Sequence, residues 1–350
     1  MIYLDHAAMT PPIPVALEAY NNAPFGNPSS EHAVGQAARE ALEQAREKIA
    51  KLMNCDSDCL YFFSTSSEAA SLVLRNMKWD SYEVTASPFE HHAISENIDN
   101  DWLWDRPNQG TVIAQMHSNN EVGTIYERPD MKQYDEWFCD ATSSVGHVPV
   151  NFKELGCSYL VADSIKFSGV PGAAFLIAEK TVGYHIPSLY PLIRGGGQER
   201  GMRSGTENVP AICAMAAALE WQTEHMEENT RHVAALRQML FQILSRIPDH
   251  QWNTPFEKPC VTHILNISFD GVDAHALALL LSNQDIMVSP GAACSNGLNE
   301  PSHVIMSMFH DEARARSAVR ISLSHQNTAD EIAEAGQKIT EAVAYLRSLS

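Results

Sequence analysis

Six short apolar runs, at residues 59–63, 83–86, 111–116, 137–139, 159–161 and 173–177, punctuate the first half of the chain, with helical or loop segments between them. Strand-length apolar runs alternating with helical stretches predict a mainly parallel sheet covered by helices on both faces. A long amphipathic helix over 31–52 leads into them, with Ala38, Leu42, Ala45, Ile49 and Leu52 at helical spacing. From about Thr230 the texture changes. A helix at 231–246 is followed by a strand at 263–268, a helix at 274–281, strands at 285–288 and 319–323, and a closing helix over 328–346. The expected fold class is therefore α/β. A large domain of residues 15–230 carries the parallel sheet, and residues 1–14 with 231–350 form a smaller α+β domain. At 350 residues the chain is long enough for two such units.

Charge narrows the partners. With 24 Lys and Arg against 43 Asp and Glu, the formal charge is −19, which repels phosphate backbones and anionic lipid. Neither direct nucleic-acid binding nor a membrane role is expected. The most apolar run, 210–221, is too short to span a bilayer, and the first residues do not read as a signal peptide. Seven cysteines are scattered without a disulfide framework, which points to a reducing compartment, the cytoplasm. Cys55 and Cys59 are the one close pair, and no second pair at zinc spacing accompanies them, so no metal is expected.

Several residues have the means for chemistry. Lys166, in Asp163-Ser164-Ile165-Lys166, follows an apolar strand and precedes a turn-rich stretch, a setting in which a desolvated amine can form a Schiff base. Asp140 lies just past another strand, either as an exposed acid or as the partner of a protonated pyridine nitrogen. Ser64-Thr65-Ser66-Ser67-Glu68 precedes an apolar helix, which suits a bound phosphate and equally a plain helix cap. The segment from Arg194 to Asn208, with five glycines, is costly to order unless it closely approaches a ligand or another subunit. Cys294, in a loop of small residues, has no large apolar neighbours and suits a nucleophilic thiolate.

Taken together these motifs resemble the cysteine desulfurases of the NifS/IscS type, within the class V aminotransferase, fold-type I pyridoxal-phosphate superfamily. The resemblance runs almost end to end. It is carried by Tyr3-Leu4-Asp5-His6-Ala7-Ala8, Gly26-Asn27-Pro28-Ser29-Ser30, Glu90-His91-His92 and His117-Ser118-Asn119-Asn120-Glu121-Val122-Gly123. Asp140-Ala141-Thr142, Gly195 to Asn208, Ala293-Cys294-Ser295 and Arg320-Ile321-Ser322 continue it. It implies that pyridoxal 5'-phosphate is held by Lys166 as a Schiff base. Asp140 would pair with the ring nitrogen and His91 would stack on the ring. Ser67, the Ser66 amide and Thr206 of the partner subunit in a homodimer would bind the phosphate. Asn120 and Arg320 would hold the carboxylate of L-cysteine. Cys294 would take the sulfur as a persulfide, release L-alanine and deliver the sulfur to an acceptor protein.

The chain departs from that pattern around the cofactor. Ile165 stands where the family has a histidine, Ser143 where it has a glutamine, and Asp163 where it has a phosphate-binding serine. Either Asp163 turns away or Ser164 replaces it. The stretch between His91 and Asn120 is also short. Two other readings fit the same residues: a related pyridoxal-phosphate C–S lyase, and a degenerate scaffold or regulator.

Overall fold

The computed structural model describes residues 1–80, 82–98, 110–178, 189–291 and 300–349. They gather into two compact units, one of Pro11–His117 and Glu127–Glu224, the other of Met1–Thr10, Ser118–Tyr126 and His225–Ser350.

In the first unit six strands form one sheet, in the order Leu60–Phe63, Ala174–Ala178, Tyr159–Asp163, Glu136–Asp140, Gly110–Ala114, Tyr82–Ala86. Neighbours are parallel except where Ala174–Ala178 runs antiparallel to both of its partners. Each apolar run of the sequence coincides with one strand, its ends shifted by a residue or two. Successive residues of a strand point to opposite faces. Leu60, Phe62, Leu160 and Phe175 therefore pack on one side, with Leu42 and Ile49 of the helix Ala33–Met53 and Met215 and Leu219 of the helix Val209–Glu224. Tyr61, Phe63, Val161 and Leu176 pack on the other, with Leu72 and Val73 of the helix Ser66–Trp79. Burial of both faces explains why these runs read as apolar throughout. Phe175 has no exposure, and truncating such a ring to alanine costs about 3–5 kcal/mol.

Local chemistry sets the ends of the long helix. His32 accepts a hydrogen bond from Gly35 N at 3.2 Å, and Asn54 closes the last turn in the left-handed conformation at φ 54°.

The second unit carries an antiparallel sheet in the order Ser289–Pro290, Ala318–Ser322, Ile264–Phe269, His250–Trp252. Leu240 and Leu244 of the helix Met226–Leu244, Leu277 of Ala274–Ser282 and Ile339 of Ala329–Ser348 pack with Leu265, Ile267 and Ile321 of that sheet. Ile2–Tyr3 pairs in parallel with Ile286–Met287, which ties the first residues to this unit. Thr328 and Glu331 cap the closing helix reciprocally.

Residues 118–126 depart from the division drawn on the sequence, which placed them in the large domain. Val261 N donates to Gly123 O at 2.9 Å and Ile125 N to Pro259 O at 2.8 Å, while Asn266 Nδ2 donates to the Glu121 carbonyl at 3.2 Å. Such pairing with a segment far along the chain leaves no periodic signal in the nine residues themselves.

Candidate active site

The parallel strands of the first unit all end on one edge, and the candidate residues follow those ends. Ser66 and Ser67 come after Leu60–Phe63, and His91 after Tyr82–Ala86. Asp140 closes its strand with Ser143 just beyond it, and Ser164 and Lys166 come after Tyr159–Asp163. The crevice outside the carboxyl ends of parallel strands is where open α/β sheets bind ligands. Asp140 and Val161 are register partners, so Asp140 and the turn carrying Lys166 leave adjacent strands.

Lys166 is half-buried in the short turn Ser164–Lys166, where its carbonyl accepts a hydrogen bond from His147 Nε2 at 2.9 Å. Asp140 Oδ1 accepts from Thr142 N at 2.9 Å, and its Oδ2 has no hydrogen bond among the described residues. His91 caps the turn His92–Ser95, its Nδ1 accepting from Ala93 N at 3.1 Å. An accepting Nδ1 leaves the proton of the neutral ring on Nε2. Glu90 beside it is buried and accepts from Met116 N at 2.8 Å. Burial pushes its carboxyl well above the usual carboxylate range, and the charge of Asp140 adds to the rise. His117 Nδ1 and Ser144 Oγ lie 2.8 Å apart, and burial lowers the His117 pKa.

Asp163 does not turn away. Its Oδ2 accepts from Ser66 N at 3.0 Å and its Oδ1 from Ile165 N at 3.3 Å. Burial raises this carboxyl, while the two amides and the nearby Lys166 ammonium act in the opposite direction. Ser164 departs from its expected role as a replacement. Its side chain is fully buried with the hydroxyl against Gly169, where an added Cβ would come within 2.0 Å of Oγ, and that hydroxyl has no hydrogen-bond partner among the described residues. Ser143 is 8% exposed, whereas Ser67 and Thr206 are exposed.

The glycine-rich segment is anchored from within its own unit. Arg46 Nη1 and Nη2 donate to the Glu199 carboxylate at 2.9 and 2.8 Å, and Phe62 N donates to the same group at 2.8 Å. Arg203 donates to Glu68 at 2.9 Å and to Ser64 Oγ at 2.7 Å. Part of the cost of ordering this segment is thus met without ligand or partner.

In the second unit, Arg320 lies on the strand Ala318–Ser322 and is 3% exposed. It donates from Nη1 to the Asn120 carbonyl at 2.9 Å and from Nη2 to Asp5 Oδ1 at 3.0 Å; its Nε has no hydrogen-bond partner among the described residues. Glu121, next to Asn120, is buried and accepts from the Ser302 hydroxyl. Its carboxyl is pushed up to about 7 by burial, against the Ser302 hydrogen bond and the Arg320 charge. Cys294 lies outside the described residues.

Sequence reasoning gave no role to Asp5, Glu90 or His147. Asp5 and Glu90 were visible inside quoted motifs, and each is an acid beside a histidine. His147 acts on a backbone carbonyl, for which no side-chain pattern exists.

The aminotransferase class-V family model matches residues 2–101 and 102–334. The cysteine desulfurase IscS of Dictyoglomus turgidum is 32% identical over 384 residues, covering 100% of this chain and 96% of the relative. A solved NifS-like protein superposes with a TM-score of 0.87 at 29% identity, covering 98% of this chain and 99% of its own. A structure described as SspA in complex with cysteine gives a TM-score of 0.76 at 26% identity, with 94% and 100% coverage.

Class-V aminotransferases and the cysteine desulfurases use pyridoxal 5'-phosphate. Its ring and aldehyde ends fit the residues present, namely the Lys166 amine and a carboxylate oxygen of Asp140 that has no hydrogen bond among the described residues. Its phosphate end fits poorly as folded, because the Ser66 amide already holds Asp163. The sheet edge that collects Lys166, Asp140 and His91 is thus built on a sequence that matches one family model from residue 2 to residue 334, and the chain belongs to the class-V aminotransferases.

Proposed function

We propose that the chain is a cysteine desulfurase, converting L-cysteine to L-alanine and leaving the sulfur as a persulfide on Cys294 for an acceptor protein. The observation that carries this reading is the placement of Lys166 and Asp140 at the carboxyl ends of adjacent parallel strands, in a chain whose relatives are cysteine desulfurases. Pyridoxal phosphate, when bound, supplies the electron sink that makes the Cβ–S bond of cysteine labile.

The chain's own residues do the rest. The Lys166 Nζ, held on a turn whose carbonyl is fixed by His147, takes and returns the proton at the substrate Cα. Asp140 would hold the ring nitrogen of the cofactor in its protonated form, and His91 presents Nε2–H. Arg320, oriented by Asn120 and Asp5, has an Nε–H to offer a carboxylate. The Cys294 thiolate attacks the substrate sulfur. An S–S bond forms, the Cβ–S electron pair stays with carbon, and a proton completes the methyl group of alanine. One cysteine and one thiol thus give one alanine and one persulfide, with no external oxidant or reductant.

A homodimer with Thr206 reaching the partner's phosphate site, a cytoplasmic location and an absence of nucleic-acid or membrane contact complete the proposal. The exposure of Thr206 and the net charge of −19 support it. Among the described residues no helix is long and apolar enough to cross a membrane.

The test is to load the protein with pyridoxal phosphate, record its visible spectrum, add L-cysteine, and measure alanine and Cys294-bound sulfur. A band lost in Lys166→Ala, alanine formed, and a persulfide lost in Cys294→Ala are the expected results. Asp163 on the Ser66 amide favours one second reading, a scaffold that no longer holds the cofactor. A colourless, folded protein that makes no alanine would establish that reading instead.

A further inference from the structure

We infer that Asp163 is the resident anion of the helix Ser66–Trp79, so that an external phosphate group enters this chain's pocket only by displacing the chain's own carboxylate. Where the inference concerns the cofactor it rests on the proposed function; where it concerns the helix it does not. Its consequence is that the chain distinguishes little between pyridoxal phosphate and unphosphorylated pyridoxal.

The first turn of a helix leaves backbone amides unpaired and carries the positive end of the helix dipole, which suits one anion. Here two of those amides, of Ser66 and Glu68, already have acceptors. Thr65 Oγ1 accepts from Glu68 N at 3.2 Å and Glu68 accepts from Ser64 N at 3.0 Å, while Ser66 N donates to Asp163 Oδ2 at 3.0 Å. The other oxygen of Asp163 takes Ile165 N at 3.3 Å, so both are engaged, and the residue is 5% exposed. Asp163 is also the last residue of a paired strand, opposite Ala174, so its backbone is fixed. A phosphate on the Ser66 amide would have to break these bonds and then sit beside a buried carboxylate of like charge.

Apart from the Lys166 ammonium, which already acts on Asp163, and the exposed Ser67 hydroxyl, neighbouring residues offer little in compensation. Ile165 has no side-chain donor. The Ser164 hydroxyl is enclosed against Gly169. Arg203, a cation that could answer an added anion, is held by Glu68 and Ser64.

The test compares the full-length wild type with Asp163→Ser, and with Asp163→Asn, which keeps the side chain's shape and an acceptor without the charge. Inorganic phosphate is the first probe, read as the melting temperature of the cofactor-free protein. Phosphate should raise that of Asp163→Ser by about 2 °C or more and leave the wild type unchanged. Equilibrium dialysis with pyridoxal phosphate and with pyridoxal is the second. The wild type should prefer the phosphorylated form by less than about tenfold. Asp163→Ser should widen that preference by about tenfold or more through tighter pyridoxal-phosphate binding alone. If Asp163→Ser does not fold, Asp163→Asn must move in the same direction. Equal stabilisation of the wild type by phosphate, or a wild-type preference near a hundredfold that the variants do not increase, overturns the inference. If phosphate stabilises only the variants and neither pyridoxal compound binds any of the proteins, the resident anion stands and the cofactor reading falls.

Discussion

Arg320 Nη2 donates to Asp5 Oδ1 at 3.0 Å, which joins the opening residues of the chain to a strand near its end. Arg320 is 3% exposed and the Asp5 side chain 20%, so the guanidinium has this carboxylate as its ion-pair partner and the Asn120 carbonyl as a second acceptor. Removing one partner of such a pair leaves the other buried and uncompensated. Asp5→Ala should cost about 3 kcal/mol, the low end of the range for a buried pair because Asp5 keeps some solvent. Asp5→Asn, which retains an acceptor, should cost about 1–2 kcal/mol. Urea unfolding measures both, and equal losses would mean that the charge of Asp5 is irrelevant.

The glycine-rich segment yields a second stability prediction. Arg46 and Glu199 form a two-pronged ion pair with side chains 3% and 2% exposed, and Glu199 also accepts from Phe62 N. Glu199 adopts φ 47°, a left-handed conformation that an unanchored glutamate does not favour. Arg46→Ala should destabilise the protein by about 3–5 kcal/mol. Glu199→Gln, which keeps a carbonyl for one donor, should cost less. A loss below about 1 kcal/mol for Arg46→Ala, measured by denaturant unfolding, would place the pair among those that contribute little.

Much of this was legible in the residues. Strands buried on both faces show as uninterrupted apolar runs, so the six strands of the first unit could be placed within a residue or two. The candidate site was legible as a set of residue types after strand ends, because a parallel sheet collects those ends on one edge. What could not be read was direction. Asp163 could be seen as an anomaly, yet whether it faced Ser66 or turned away depended on which face of the strand its Cβ took and on what the Ser66 amide lacked. Residues 118–126 failed for a related reason, since their pairing partners, Pro259 and Val261, lie far along the chain.

Thr206 tests the proposed assembly. It is exposed in a segment anchored at Glu199 and Arg203, so replacing its side chain leaves those anchors in place. Thr206→Ala should fold and dimerise as the wild type does, by circular dichroism and sedimentation, while losing pyridoxal phosphate faster on dialysis. The expected weakening is roughly tenfold, the low end for a hydrogen bond to a charged group. Unchanged retention in a dimeric variant would exclude the contact across subunits.

Glu121 makes stability depend on pH in a direction opposite to most carboxylates. Burial raises its pKa to about 7, whereas an exposed glutamate titrates near 4.5. Between those values the folded protein keeps a proton that the unfolded chain has released. Stability from this group is therefore greatest below pH 4.5, falls as the pH rises towards 7, and is flat beyond it. The difference in pKa corresponds to about 3 kcal/mol. Glu121→Gln copies the protonated acid, with an amide able to meet the Ser302 hydroxyl, and does not titrate. The stability of the wild type relative to this variant should then decline by about 3 kcal/mol from pH 4.5 to 7.5. A difference that stays constant over that interval would mean that Arg320 holds Glu121 ionised across it, and that its folded pKa is not raised by burial.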